Sequence, residues 1–156
     1  MGGGIIETDG SVLMVHNRRR GGRTDWSTPG GVIDAGESVL EGLTREVVEE
    51  TGLTVAGWNG PAYTVVADAP DLEWTLTVEV HVATAFTGEI DIDDPDGIVI
   101  DAQWVATDEL HALLDGHQAW LREPLLEHLG GHVQWGHQFR YTIHGDQLAS
   151  LRVERH

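Results

Sequence analysis

Residues 31–53 read GVIDAGESVLEGLTREVVEETGL, and this stretch contains the strongest local folding signals in the chain. Ser38 is followed three residues later by Glu41, an arrangement typical of a capping box, so a helix should begin after Ser38. Gly52 readily adopts the left-handed conformation that ends helices, so the helix should stop there. Apolar residues recur at spacings of three and four and predict one buried face: Val39, Leu40, Leu43 and Val47.

Three glutamates, Glu46, Glu49 and Glu50, fall within about one turn near the end of this predicted helix. They repel one another, and the negative end of the helix dipole disfavours them further. One interpretation is a solvated acidic face. The other is a site for Mg²⁺ or Mn²⁺, because these ions prefer hard oxygen ligands and would neutralise the cluster.

The spacing of these residues resembles the Nudix box, G-x5-E-x7-R-E-U-x-E-E-x-G-U, where U is apolar. Every fixed position matches, from Gly31 and Glu37 to the run that begins at Arg45 and ends at Leu53. The preceding residues 26–31, WSTPGG, resemble the lead-in to that box. The resemblance implies an α/β fold, an α/β/α sandwich with a mixed central sheet and the box helix on one face. It also implies a hydrolase that uses Mg²⁺ or Mn²⁺.

The same resemblance implies roles for the residues of the box. The metal ligands would be Glu49, Glu50 and the carbonyl oxygen of Gly30. Glu46 would act either as the general base or as a third carboxylate ligand. Arg45 would orient the glutamates, and Glu37 would support this arrangement from the loop.

Nudix hydrolases cleave a phosphoanhydride bond in a nucleoside diphosphate linked to another group, so the resemblance implies a small-molecule nucleotide as the partner. The expected substrate is a nucleoside triphosphate, normal or oxidised, which would yield the monophosphate and pyrophosphate. ADP-ribose or another nucleotide sugar is the alternative substrate. A Nudix-fold protein that senses a ligand without hydrolysing it is the non-enzymatic alternative.

Two further charged segments are candidates for substrate binding. Four of the nine basic residues fall within six positions of this acidic chain: Arg18, Arg19, Arg20 and Arg23. They form either an exposed loop or a contact for substrate phosphates, which suit the forked guanidinium donor. An acidic segment around residues 88–101 is either a solvated loop or the source of one more carboxylate near the metal, with Asp94 and Asp96 as the candidates.

Composition limits the remaining possibilities. A chain of 156 residues with no cysteine suits one domain, residues 1–156, in a reducing compartment. No long apolar run or leader is present, so we expect no membrane association and a cytoplasmic location. A net charge of −17 argues against broad nucleic-acid binding.

Turn signals and periodicity divide the chain into elements. The N-terminus should form a hairpin of residues 4–7 and 11–16, and strands should follow at 54–58, 62–67 and 73–86. Helices are predicted over 107–114 and 118–129, the second kinked or restarted at Pro124. The family core should span about 4–130, and residues 131–156 should add a hairpin. This hairpin could cap the core, line a base pocket or join a second subunit as a homodimer.

Overall fold

The computed structural model describes residues 1–156. The strands are β1 (Gly2–Ile5), β2 (Glu7–Thr8), β3 (Ser11–Arg18), β4 (Thr24–Ser27), β5 (Gly30–Gly31), β6 (Thr54–Ala69), β7 (Trp74–Thr87), β8 (Val99–Ala106), β9 (His137–His144) and β10 (Arg152–Arg155). The helices are α1 (Val39–Thr51), α2 (Leu110–Leu113) and α3 (Ala119–Leu129). None of the helices is long and apolar enough to cross a membrane.

The strands form two sheets. One has six strands in the order β10-β9-β6-β7-β1-β5, and the other is centred on β3, which pairs with β2, β4 and β8. The first sheet is mixed, because β1 runs parallel to β7 and β9 runs parallel to β6. The expected α/β architecture with a mixed sheet is therefore confirmed.

The second sheet places β3 between two apolar cores. Val12 and Met14 belong to the larger core, whereas Leu13 and Val15 belong to the core beneath α1. All four side chains are almost completely buried. The strand is therefore buried on both faces, and its alternating side chains join the two cores.

The predicted N-terminal hairpin is correct only near its turn. Thr8 pairs with Ser11 and Glu7 with Val12, but residues 2–5 leave this sheet and form β1 beside β7. The backbone passes from one sheet to the other at Ile6, which is fully buried. Apolar patterning could not distinguish these two destinations, because both bury the strand.

Two predicted breaks in the chain are absent. Residues 54–58 and 62–67 belong to a single long strand, β6, whose pairing with β7 is irregular between Asn59 and Tyr63. The turn signal at residues 59–61 therefore produces a bulged stretch within the strand. Helix α3 continues through Pro124 without a new start.

The C-terminal hairpin is present as β9 and β10, and it extends the main sheet. Phe139, Tyr141 and Ile143 alternate along β9 and are buried in the larger core, beside residues of β6 and α3. Of the three roles considered for the hairpin, the structure shows that it covers the core.

Candidate active site

Helix α1 begins and ends where the sequence predicts. The backbone amide of Glu41 donates to Ser38 Oγ at 3.1 Å, and the amide of Ser38 donates to Glu41 Oε2 at 3.2 Å, so the capping box is complete. Gly52 follows the helix with φ 80°. Leu43 and Val47 are buried as expected, whereas Leu40 is exposed. These limits place the box glutamates in the last two turns of α1.

Arg45 connects the loop glutamate to the helix glutamates. Its Nε and Nη2 donate to both carboxylate oxygens of Glu37 at 2.9 Å. Its Nη1 donates to Glu46 at 3.0 Å and to Glu49 at 3.4 Å. The bonds from Arg45 hold the pKa of Glu37 below its usual value, and these partners raise the pKa of Arg45. One guanidinium therefore sets the positions of three carboxylates.

Glu50 occupies the most enclosed position of the cluster. Its Oε2 accepts a hydrogen bond from the Gly30 amide at 3.0 Å. Burial is the main cause that raises the pKa of Glu50 to about 8; the charges of Glu46 and Asp94 act in the same direction, and the bond from Gly30 and the charge of Arg19 oppose them. Glu50 is thus a carboxylate whose ionisation the surrounding protein does not compensate.

Glu46 lies against the backbone of the glycine turn. A Cβ on Gly31 would stand 2.6 Å from the Glu46 carboxyl carbon, which real contacts do not allow. A Cβ on Gly30 would stand 2.1 Å from the carbonyl oxygen of Gly2 in β1. Burial is the main cause that raises the pKa of Glu46, while Arg45 opposes it. The two glycines therefore let the turn fit between β1 and the glutamate.

The chemistry of the donors fits a divalent cation. No three carboxylate or imidazole side chains form a ready-made metal cluster, since Glu46 and Glu49 face Arg45 and Glu50 faces the Gly30 amide. However, Glu46 and Glu50 are crowded carboxylates with raised pKa values, and one added positive charge nearby would favour the ionised form of both. The backbone amide of Gly30 donates to Glu50, and the role of the Gly30 carbonyl as a metal ligand stays a prediction.

A cavity of about 280 Å³ adjoins these carboxylates. Glu46, Glu50 and Asp96 make part of its lining acidic, polar side chains such as those of Asn17 and Arg19 also line it, and apolar residues form just over half of the lining. The apolar lining comes from β4, from the main sheet and from α3, and it includes Trp26, Tyr63, Leu76, Trp120 and Leu125. A ligand with a charged portion and a flat apolar portion would match both parts of this lining.

Trp26 is held on two sides. Its ring stacks on His16 with the centroids 4.4 Å apart and the planes 1° from parallel. Its backbone amide donates to His117 Nε2 at 2.9 Å. His117 lies in the loop between α2 and α3, so this bond ties the wall formed by β4 to the wall formed by α3.

The structure separates the four loop arginines. Only Arg19 lines the cavity, and its guanidinium bonds Asp25 at 2.8 and 3.1 Å. Burial opposes the ionisation of Asp25, but the bonds from Arg19 and Asn17 outweigh it and lower the pKa of Asp25. The other three are exposed and do not line the cavity: Arg18, Arg20 and Arg23.

The two acidic-loop candidates also differ. The carboxylate of Asp94 accepts hydrogen bonds from the amides of Asp96, Ile98 and Val99 at 2.8–3.1 Å, so it shapes its own loop. Asp96 instead lines the cavity beside the box carboxylates. Asp96 is therefore the better placed of the two to approach a bound cation.

Several cavity residues were not identified from the sequence. Asn17 is buried and donates to Asp25 and Ser27 at 3.0 and 2.9 Å, and Trp120 contributes from α3. A polar amide at the end of a buried strand was a signal for Asn17. The C-terminal segment was one candidate for the lining of a base pocket, but three of its aromatic residues do not line this cavity: Trp135, Phe139 and Tyr141.

Comparison with known proteins agrees with this geometry. The family model described as the NUDIX domain matches residues 3–129. The uncharacterized Nudix hydrolase YvcI from Bacillus subtilis is 30% identical over 121 residues, which cover 72% of each chain. The ADP-ribose pyrophosphatase of Methanocaldococcus jannaschii is 40% identical, but over 50 residues that cover 32% of this chain and 30% of that protein.

A solved structure extends the similarity to almost the whole chain. The mutator MutT protein from Bacillus halodurans superposes with a TM-score of 0.63 and 28% identity, covering 98% of this chain and 95% of that chain. This coverage includes the segment beyond residue 129, where the family model stops. The α/β fold of residues 1–156 is thus shared with a solved protein as a whole.

Proposed function

The chain belongs to the Nudix hydrolase family and is a pyrophosphohydrolase, and we propose that it hydrolyses a nucleoside triphosphate to the monophosphate and pyrophosphate. One observation carries this proposal: the box carboxylates Glu46 and Glu50 line the same cavity as the aromatic side chains of Trp26 and Trp120. A phosphate chain and a base could therefore occupy one continuous site.

The proposed cofactor is Mg²⁺ or Mn²⁺, held by Glu49 and Glu50 with the Gly30 carbonyl. When bound, such an ion neutralises phosphate charge and lowers the pKa of a coordinated water. The raised pKa of Glu50 supports this assignment, because ionised Glu50 lacks a full counter-charge in the protein alone. Asp96 is the proposed additional carboxylate from the acidic loop.

Glu46 is the proposed general base, with the role of a third metal ligand as the alternative. Its raised pKa brings it nearer to neutral pH, where a general base works best. Arg45 would fix the Glu46 carboxylate through the 3.0 Å bond from Nη1. Glu37 would in turn fix Arg45 with its paired bonds, so neither residue needs to touch the substrate.

The apolar part of the cavity lining is the proposed site for the base. Trp26 already carries His16 on one face, which leaves the ring rigid and able to stack a flat ligand. A triphosphate combines one flat group with one charged chain, as the cavity lining combines aromatic side chains with carboxylates. Arg19 also lines this cavity and could contact a phosphate if it leaves Asp25.

ADP-ribose hydrolysis is the second candidate, favoured by the similarity to the ADP-ribose pyrophosphatase. That similarity covers only 32% of this chain. ADP-ribose also carries a second hydroxyl-rich sugar beyond its diphosphate. A second surface depression, bounded by Asn59, Pro61 and Trp135, shares no residue with the cavity at the box. We therefore favour the triphosphate.

A substrate panel tests the proposal. Purified protein with Mg²⁺ would be incubated with normal and oxidised nucleoside triphosphates and with ADP-ribose, and the products separated by chromatography. We expect monophosphate and pyrophosphate from a triphosphate, and a loss of turnover of about 10²–10⁴ in Glu50→Gln. The matched control is Glu109→Gln, an exposed glutamate with no side-chain bond. Faster cleavage of ADP-ribose than of every triphosphate would reject the proposed substrate.

A further inference from the structure

Arg155 of β10 joins the C-terminal hairpin to helix α3. Its guanidinium forms a paired contact with the Glu127 carboxylate, in which Nη2 donates to Oε2 at 2.9 Å. Its Nη1 also lies 3.4 Å from Glu123 Oε2. Glu123 and Glu127 are one helical turn apart and therefore face the hairpin together. Arg155 holds the pKa of Glu127 below its usual value, which keeps that carboxylate ionised.

Tyr141 of β9 reaches the same two-carboxylate surface. Its hydroxyl donates to Glu123 Oε2 at 3.0 Å, while its ring is buried in the core. The guanidinium carbon of Arg155 lies 5.2 Å from the centre of the Phe139 ring, within the range of a cation–π contact. Arg155 is therefore fixed both by charge and by an aromatic neighbour, and two strands of the hairpin hold one side of α3.

The other side of α3 forms a wall of the cavity. Trp120, Leu121 and Leu125 line the cavity. Leu121 and Leu125 lie on the side of the helix opposite Glu123 and Glu127, whereas Trp120 lies one turn before Glu123. No residue of β9 or β10 lines the cavity itself. The hairpin can reach a ligand only through the elements on which it packs, which are α3 and β6. The side-chain contacts of Arg155 and Tyr141 with Glu123 and Glu127 act on α3.

We propose that Arg155, through Glu123 and Glu127, is a positioning residue that sets the apolar wall for the nucleoside of the substrate. This inference rests on the proposed nucleotide function, because it concerns the same cavity. Arg155 controls the affinity for the nucleoside portion and leaves the phosphate chemistry at Glu46, Glu49 and Glu50 unaffected. We call the contacts of Arg155 with Glu123 and Glu127 the clamp. The hairpin lies beyond the residues matched by the family model, so the clamp is an addition to the core site.

The test compares Arg155→Ala with Arg152→Ala. Both changes remove one arginine from β10, but Arg152 is exposed and makes no side-chain bond. We expect Arg155→Ala to raise KM about 3- to 10-fold, as for the loss of a partly exposed ion-pair network, with kcat within about twofold. Arg152→Ala should leave both constants unchanged. A fall in kcat with unchanged KM would overturn the proposal.

Binding measurements separate the clamp from the overall function. Calorimetric titrations with the four common nucleoside monophosphates and with tripolyphosphate need no turnover. Arg155→Ala should weaken the binding of whichever monophosphate binds wild type, by the same factor by which it raises KM. The affinity for tripolyphosphate should not change. An equal loss of affinity for the monophosphate and for tripolyphosphate would overturn the proposed role of the clamp. An unchanged affinity for both would overturn it as well. Failure of every monophosphate to bind wild type would overturn the nucleotide function, and the clamp with it.

Tyr141→Phe provides a second variant that keeps the buried ring and removes only the bond to Glu123. It should raise KM in the same direction by a smaller factor. This change keeps the test decisive if Arg155→Ala does not fold. An unchanged KM and an unchanged monophosphate affinity in a folded Tyr141→Phe protein would show that the contacts between the hairpin and α3 do not set the wall.

Discussion

The carboxyl carbon of Glu46 lies 2.6 Å from the position that a Cβ on Gly31 would occupy. The two residues are 15 positions apart in the sequence and meet where the glycine turn crosses α1. Gly31 has no positive φ, so its backbone conformation would accept another residue. The close approach of Glu46 alone explains the need for glycine at this position.

Gly31→Ala should therefore reduce turnover by displacing the Glu46 carboxylate. A displacement of about 1 Å at a catalytic group can cost on the order of 10²-fold in rate. The stability of the protein should change little, because the end of a flexible side chain can move. Steady-state kinetics and thermal unfolding of the purified variant check both expectations.

The double variant Gly31→Ala/Glu46→Gln identifies the group responsible. If the alanine acts through Glu46, the double variant should be no slower than Glu46→Gln alone, since residues in contact are not additive. If the loss of turnover in the double variant equals the product of the two single losses, Gly31→Ala disturbs something other than Glu46.

Glu50 should make the metal-free protein less stable as the pH rises. Its folded-state pKa is about 8, whereas an unfolded glutamate titrates near about 4.3. The protonated form therefore contributes stability fully below the unfolded pKa, and this contribution is lost as the pH rises through the folded pKa. Glu50→Gln cannot ionise and should escape the loss.

Urea unfolding with a chelator, between about pH 5 and pH 8, measures this effect. The free energy of unfolding of Glu50→Gln minus that of wild type should grow with pH, by on the order of a few kcal/mol over this range. The exposed Glu109→Gln serves as the control for removal of a charge. A pH-independent difference would mean that Glu50 is already ionised in the folded protein.

The loop arginines should respond differently to substitution. Arg19→Ala should raise KM more than it lowers kcat, because Arg19 alone lines the cavity and a ground-state phosphate contact contributes mainly to binding. Arg20→Ala and Arg23→Ala are matched controls on the same loop. Asp25→Asn should not raise KM, because it frees Arg19 from its bidentate partner. Unchanged KM values in all variants would leave the loop without a role in phosphate binding.

Metal binding and folding should be linked at the box. A cation that binds only the folded state stabilises it by about 2.7 kcal/mol at a hundredfold excess over its Kd. Mg²⁺ or Mn²⁺ should therefore raise the Tm of wild type by several degrees, and by clearly less in Glu49→Gln/Glu50→Gln.

The ionic strength in this comparison must be matched with a monovalent salt, because screening alone would stabilise a chain of charge −17. Equal responses of wild type and the double variant would assign the effect to screening or to the acidic loop.

Local features of the structure could be predicted from the sequence, and contacts between distant elements could not. The limits of α1 follow from Ser38, Glu41 and Gly52, because capping acts over three or four residues. The burial of β3 follows from its apolar run. By contrast, the first predicted strand, residues 4–7, has only two apolar side chains, Ile5 and Ile6. These suit a hairpin beside β3 or a strand beside β7, and only the tertiary contacts decide.

The candidate site divides in the same way. The box residues share one helix and its preceding loop, so their spacing predicts that they lie close together. The cavity instead combines β4, the main sheet and α3, and the contribution of Trp120 depends on how α3 packs. Likewise, Arg19, just after β3, is distinguished from Arg18 and Arg20 by its ion pair with Asp25 of β4 and by its place in the cavity lining. Neither relationship has a fixed spacing in the sequence.

The parallel pairs of the main sheet have a consequence for how the chain folds during synthesis. Gly2 pairs with Glu79 and Tyr63 pairs with His137, so strands made early wait for partners made more than 70 residues later. Pairing over such separations is slow because loop closure must precede the contacts. One edge of β6 therefore stays open on the ribosome until β9 emerges. Completion of the sheet, and of the support for α3, therefore comes more than 70 residues of synthesis after β6 has been made.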